Sequence, residues 1–150
     1  MKLSIEVERR LRGEVHVIFE KATAAENLPL LFPGFGVVPG VLEATIDGPT
    51  ENGAVRIVKT KDGATVRERI VEHLPPSIHR YVLEGLRAPF SWIVESAEGT
   101  WRLAQEGDAT HFLWTYEFTL TSFLAAPVAR LAVSHFRRSM ERGLENLAKS

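Results

Sequence analysis

From its second residue the chain alternates. Leu3, Ile5, Val7 and Leu11 fall on one side, while Lys2, Ser4, Glu6, Glu8, Arg10 and Arg12 fall on the other, the period-two pattern of a half-buried strand. After Gly13 the period changes. Val15, Ile18 and Phe19 keep helical spacing over residues 14–22, and residues 24–31 predict a second short turn of helix; Pro29, Pro33, Gly34 and Gly36 prevent anything longer. From Val37 onward the spacing is that of strands, predicted over residues 41–46, 54–60, 64–74, 78–86, 91–104 and 109–121. Between them stand Asp47-Gly48-Pro49, Lys61-Asp62-Gly63, Pro75-Pro76, Arg87-Ala88-Pro89 and Glu106-Gly107-Asp108. Short turns of this composition join antiparallel neighbours. The last strand has the clearest period, with Phe112, Trp114, Tyr116, Phe118 and Leu120 on one face.

Residues 122–149 then read as one long amphipathic helix. Its apolar stripe is predicted to hold Val128, Leu131, Ala132, His135, Phe136, Ser139, Met140, Gly143 and Leu147, opposite a face of arginines and glutamates. Such a helix is roughly 40 Å long, enough to cross a small domain. The predicted fold class is therefore α+β: one strand, two short helices, six strands in a meander and a long C-terminal helix. A sheet with so bulky an aromatic face buries it only by bending around that helix.

Composition narrows the functional classes. A length of 150 residues is that of a single domain, residues 1–150, and 18 Lys and Arg against 19 Asp and Glu leave no net field for nucleic acid or an anionic membrane. There is no cysteine, so disulfides, thiolate nucleophiles and thiolate metal sites are excluded, and a cytoplasmic location is expected. No signal peptide is readable and no run of apolar residues is long enough to span a membrane. The five histidines show no metal-ligand spacing, and neither a phosphate-cradling glycine loop nor a nucleophile elbow is present; no metal or cofactor is expected. His16, His73, His79 and His111 read as surface or strand-edge residues, and Arg56 as a surface strand residue.

The order of elements carries a resemblance. Asp62-Gly63 before a strand with Arg67-Glu68-Arg69, Pro75-Pro76 before Tyr81, Gly99-Thr100-Trp101, Trp114 with Phe118, and the closing Gly143-Leu144-Glu145-Asn146-Leu147 resemble the START-like, or SRPBCC, superfamily over essentially the whole chain. That superfamily includes polyketide cyclase/dehydrase-like, coenzyme Q-binding and birch-pollen-allergen-like proteins. The resemblance implies a helix-grip: a seven-stranded antiparallel sheet wrapped around the long helix, with a cavity between them. It also implies that residues 59–63 and 85–90 border the cavity mouth. Such motifs specify a fold more than an activity.

Candidate site residues follow from both readings. Glu68 shares a strand face with Val66 and Ile70, which points inward. A carboxylate there is desolvated unless a cation or a ligand hydroxyl meets it, so it could bind a polar ligand end or move a proton; the alternative is a solvated glutamate near the mouth or one paired with a neighbouring arginine. Tyr81 could offer its hydroxyl or be a core aromatic. Trp101, Trp114, Tyr116 and Phe118 are candidate walls, Phe32 and Phe35 a closure at the helical end, Phe90 a lid, and Val128, Leu131 and His135 the helix side. The first expectation is a carrier or sensor for a small hydrophobic molecule such as a lipid, isoprenoid, quinone or aromatic polyketide. The second is a cyclase or dehydrase-type enzyme with Glu68 as acid or base and Tyr81 or His135 orienting a carbonyl. The third is an accessory protein for a membrane-bound respiratory complex, signalled by exposed apolar residues near 124–131 or 86–92; a host-lysate pull-down without a stoichiometric partner tells against it. A homodimer is compatible with all three.

Overall fold

The computed structural model describes residues 1–150. Strand β1 (Lys2–Arg12) leads into helix α1 (Val15–Thr23), a single 3-10 turn, and helix α2 (Leu28–Leu31). Strands β2 (Val41–Ile46), β3 (Val55–Thr60), β4 (Thr65–Leu74), β5 (Ile78–Glu84), β6 (Val94–Glu106) and β7 (Ala109–Leu120) follow, and helix α3 (Ala126–Lys149) closes the chain. The seven strands form one antiparallel sheet in the order β1-β7-β6-β5-β4-β3-β2. This is a helix-grip: the meander is extended by β1 pairing with β7, and α3 lies across the concave face.

The period-two signal of β7 is what anchors the core. Phe112, Trp114, Tyr116, Phe118 and Leu120 are all buried, and Phe136 of α3 packs edge-on against Tyr116 and Phe118, with ring centroids 4.6 and 5.0 Å away. Phe32, just past α2, meets the same Phe136 ring at 4.7 Å. The α3 stripe differs from its sequence reading in the first turns. Ala126, Ala129 and Val133 face the core there, whereas Val128 and Leu131 are exposed. From Phe136 onward the stripe is as read, with Ser139, Met140, Gly143 and Leu147 buried. A 3-10 turn (Phe123–Ala125), capped by the Ser122 side chain that accepts the Leu124 N–H, leads into α3, and Pro127 stands in the helix's first turn, where its missing N–H costs nothing.

Two glycines set close approaches. Gly143 lets α3 touch α2: a methyl group there would sit 1.7 Å from the Leu31 carbonyl oxygen. Gly99, paired with Tyr81 across β5 and β6, leaves room for the tyrosine ring to lie over it. The third local feature is a bulge in β4 between Ile70 and Glu72. An extra residue flips the face of everything beyond it. His73 thereby turns inward and stands opposite His79, with the two Nδ1 atoms 3.0 Å apart. Neither is a plain surface residue, and His79 is completely buried among Phe19, Tyr81 and Trp101.

Candidate functional site

A cavity of about 440 Å³ lies between the sheet and α3, and 21 of its 27 lining residues are hydrophobic. Its exposed lining residues, among them Val37, Arg87, Trp92, Val128 and Leu131, mark a mouth; its buried ones, Glu68, Tyr81, Trp114 and Tyr116, mark a floor. Both turns expected at the mouth contribute, through Thr60 and Asp62 on one side and Leu86, Arg87, Ala88, Pro89 and Phe90 on the other. Asp62 ties its own turn together, accepting from the Thr60 hydroxyl and, at 3.3 Å, from the Ala64 N–H. The Thr60 bond holds the Asp62 carboxyl below its usual range, and Arg87 on the facing loop adds to this.

The floor is polar, and its centre is a pair that sequence reading only half found. Glu68 is 3% exposed and Arg56, directly opposite it across β3 and β4, is 0% exposed. Arg56 is therefore not a surface residue. Its Nε donates to Glu68 Oε1 at 2.7 Å, its Nη2 donates to the same oxygen, and its Nη1 donates to the Thr23 carbonyl at the C-terminal end of α1 at 3.0 Å. All three contacts satisfy a charge that burial otherwise makes expensive. A signal for this existed in the sequence: Arg56 and Glu68 are equidistant from Asp62, so a hairpin centred on Asp62 faces them. Beside the pair, the Tyr81 hydroxyl accepts from Trp114 Nε1–H at 3.2 Å. Burial first, and then the nearby Glu68 carboxylate, push the Tyr81 hydroxyl above its usual range; for Tyr116 burial again leads, followed by Tyr81 and Glu68. Both phenols are neutral across the physiological range.

The candidate residues separate into two groups. Phe32, Glu68, Tyr81, Phe90, Trp114, Tyr116, Val128 and Leu131 line the cavity. Phe35, Trp101, Phe118 and His135 do not. Phe35 lies outside, under the Arg142 and Arg138 guanidinium groups at 4.8 and 5.5 Å. Trp101 and Phe118 are fully buried in the packed aromatic layer behind the cavity wall. His135 accepts the Val37 N–H at Nδ1, 3.1 Å away, and so holds the loop after α2 onto α3 instead of reaching a ligand. At the mouth Trp92, Val128 and Leu131 are exposed, Trp92 at 72%, and Phe123 and Leu124 in the turn before α3 are exposed as well. No helix is long and apolar enough to cross a membrane.

A family described as polyketide cyclase / dehydrase and lipid transport matches residues 2–150. The chain belongs to that family. Solved structures agree on the helix-grip. The di-domain ARO/CYC BexL from the BE-7585A biosynthetic pathway superposes with a TM-score of 0.77 at 15% identity, over 99% of this chain and 49% of that one. This polyketide cyclase/dehydrase family member thus spans about half the length of that di-domain protein. Zhui aromatase/cyclase from Streptomyces sp. R1128 gives 0.75 at 13% identity over 99% and 93% of the two chains. Major latex-like protein 151 from Panax ginseng gives 0.67 at 15% over 96% and 95%. No curated protein matches the chain by sequence.

Proposed function

We propose that this protein binds a small, mostly apolar molecule in the cavity between sheet and α3, acting as a carrier or sensor. The observation that carries this reading is a space of about 440 Å³ with a hydrophobic wall and a few convergent polar groups on its floor. Each methylene moved from water into such a wall contributes about 0.8 kcal/mol, so about six match the lower estimates for the cost of association. Lipids, isoprenoids, quinones and aromatic polyketides all have that much apolar surface. A second reading, a cyclase or dehydrase-type enzyme, is favoured by the buried Glu68 beside Tyr81; His135 has no part in it, being engaged with Val37.

The test uses N-phenyl-1-naphthylamine, a neutral apolar fluorophore. Its fluorescence should rise on mixing with the wild-type protein. The rise should disappear in Ala132→Phe, which places a ring into the cavity from α3. Undiminished binding in a folded Ala132→Phe protein would sink the cavity reading. Mass spectrometry of molecules that co-purify with the protein separates the two roles: a carrier returns its ligand unchanged after incubation, an enzyme does not.

A further inference from the structure

The rings of His73 and His79 meet under α1. Their Nδ1 atoms are 3.0 Å apart, and Phe19 of α1 packs on both, with ring centroids 5.4 and 6.5 Å away. His79 is completely buried, and its Nε2 is sealed from solvent with no hydrogen-bond partner, as is Nε1 of the neighbouring Trp101. Two neutral rings fit this place. One Nδ1 carries a hydrogen and donates it to the other, and with that hydrogen on His79 its Nε2 stays bare. A third hydrogen does not fit. However three are spread over the four nitrogens, either two N–H groups face each other across the 3.0 Å gap or an N–H stands on His79 Nε2 with no acceptor.

No carboxylate answers the added charge. On β4, Glu68 is committed to Arg56 of β3, whose guanidinium disfavours a charge on either ring. Glu72 of β4 pairs with Arg80 of β5, which also reaches Glu98 of β6, while Arg102 of β6 is exposed. From the preceding loop Asn52 accepts the His73 backbone N–H. On α1, His16 pairs with Glu14, Glu20 is exposed and Lys21 is half-buried, and none of them bonds to either imidazole. We propose that the His73–His79 pair is a proton-operated latch on α1: in acid the two rings give up their place against Phe19 for water, and α1 lifts from the sheet while the rest of the fold holds. The helix is attached in a way that permits this. Gly13, at φ 127°, precedes it, Ala24 ends it in extended backbone, and two hydrogen bonds tie it to the sheet, from Val15 N–H to Gln105 Oε1 and from Arg56 Nη1 to the Thr23 carbonyl. The latch does not depend on what the cavity holds.

Hydrogen exchange of the full chain at pH 7 and pH 5, with each rate divided by its unfolded-chain value at that pH, tests this. An imidazole that titrates at its ordinary 6.5 in the open form and takes no proton in the closed form shifts opening by about thirtyfold at pH 5. Protection of the α1 amides of Ile18, Phe19 and Ala22 should therefore fall at least about tenfold between the two pH values. At pH 5 it should also stand at least about tenfold below that of Met140 and Leu144 in α3. In His73→Asn/His79→Asn an amide takes the place of each Nδ1 and does not titrate, so the fall should shrink to less than about threefold. Equal protection of α1 and α3 at pH 5 means that acid acts only by unfolding the whole chain, and overturns the latch. A smaller fall in the wild type overturns it as well, as does a fall that survives in a folded double variant. Where the double variant does not fold, the wild-type comparison decides alone.

Discussion

Arg56 and Glu68 form a buried ion pair, so each depends on the other. Removing one leaves the other as a buried charge, whereas removing both exchanges a desolvated ion pair for packing. Arg56→Met alone should therefore cost about 3–5 kcal/mol of unfolding free energy, while Arg56→Met/Glu68→Leu should recover most of that loss. Urea unfolding of the three proteins measures it; equal losses for single and double variants would mean the pair is not coupled. The inward direction of Glu68 was legible from its phase with Val66 and Ile70. The partner was not, because β3 is apolar on both phases and only the hairpin register selects one. The burial of His79 is illegible for a similar reason: a lone histidine in a strand gives no sign of the bulge that assembles its surroundings.

At the scale of elements, the long helix and the aromatic strand were readable because each repeats one period over many residues. What the repeat does not set is how close the elements come. Gly143 stands inside α3, where alanine is worth about 1 kcal/mol more than glycine by helix propensity alone. Here a methyl group would meet the Leu31 carbonyl of α2, a backbone atom that cannot turn aside. Gly143→Ala should thus destabilise by about 2 kcal/mol or more despite the propensity gain, since overpacking costs about 1–3 kcal/mol and this contact is severe. Thermal and urea unfolding will show the sign; a more stable variant would mean that α2 is free to move off α3. In α3's first turns the steps of three, four and seven residues back from Phe136 reach Val133, Ala132 and Ala129, which are buried; Leu131, five residues back, stands well off that face and Val128 at its margin, so both are left at the mouth.

For the whole molecule, the most direct consequence of burying polar groups is acid sensitivity. Burial, with lesser contributions from Arg56 and His73, lowers the His79 pKa from 6.5 to about 2. Above pH 6.5 neither the folded nor the unfolded chain protonates this ring, and it imposes no cost. Below that, the unfolded chain takes up a proton that the folded chain refuses, so stability falls by about 1.4 kcal/mol per pH unit until the folded value is reached. Between pH 7 and pH 5 the loss from this ring should be about 2 kcal/mol. His73, also lowered by burial first and Arg56 second, adds in the same direction. Chemical unfolding at the two pH values, repeated with His79→Gln, checks it: the variant should lose clearly less stability on acidification, and an unchanged slope would assign the effect elsewhere.

By itself the sequence determined the order of elements, the antiparallel meander, the long helix and the inward aromatic face, because each of these follows from local periodicity and turn chemistry. It also placed the two loops of the mouth through the family resemblance. Only the tertiary structure decided that Arg56 lies beneath the cavity floor, that His135 holds a loop, and that Trp101 and Phe118 fill the core instead of the wall. Those outcomes depend on register, on a one-residue bulge and on how sharply a sheet curls. Each is fixed by contacts between segments distant in the chain, and such contacts leave no trace in the spacing of either segment alone.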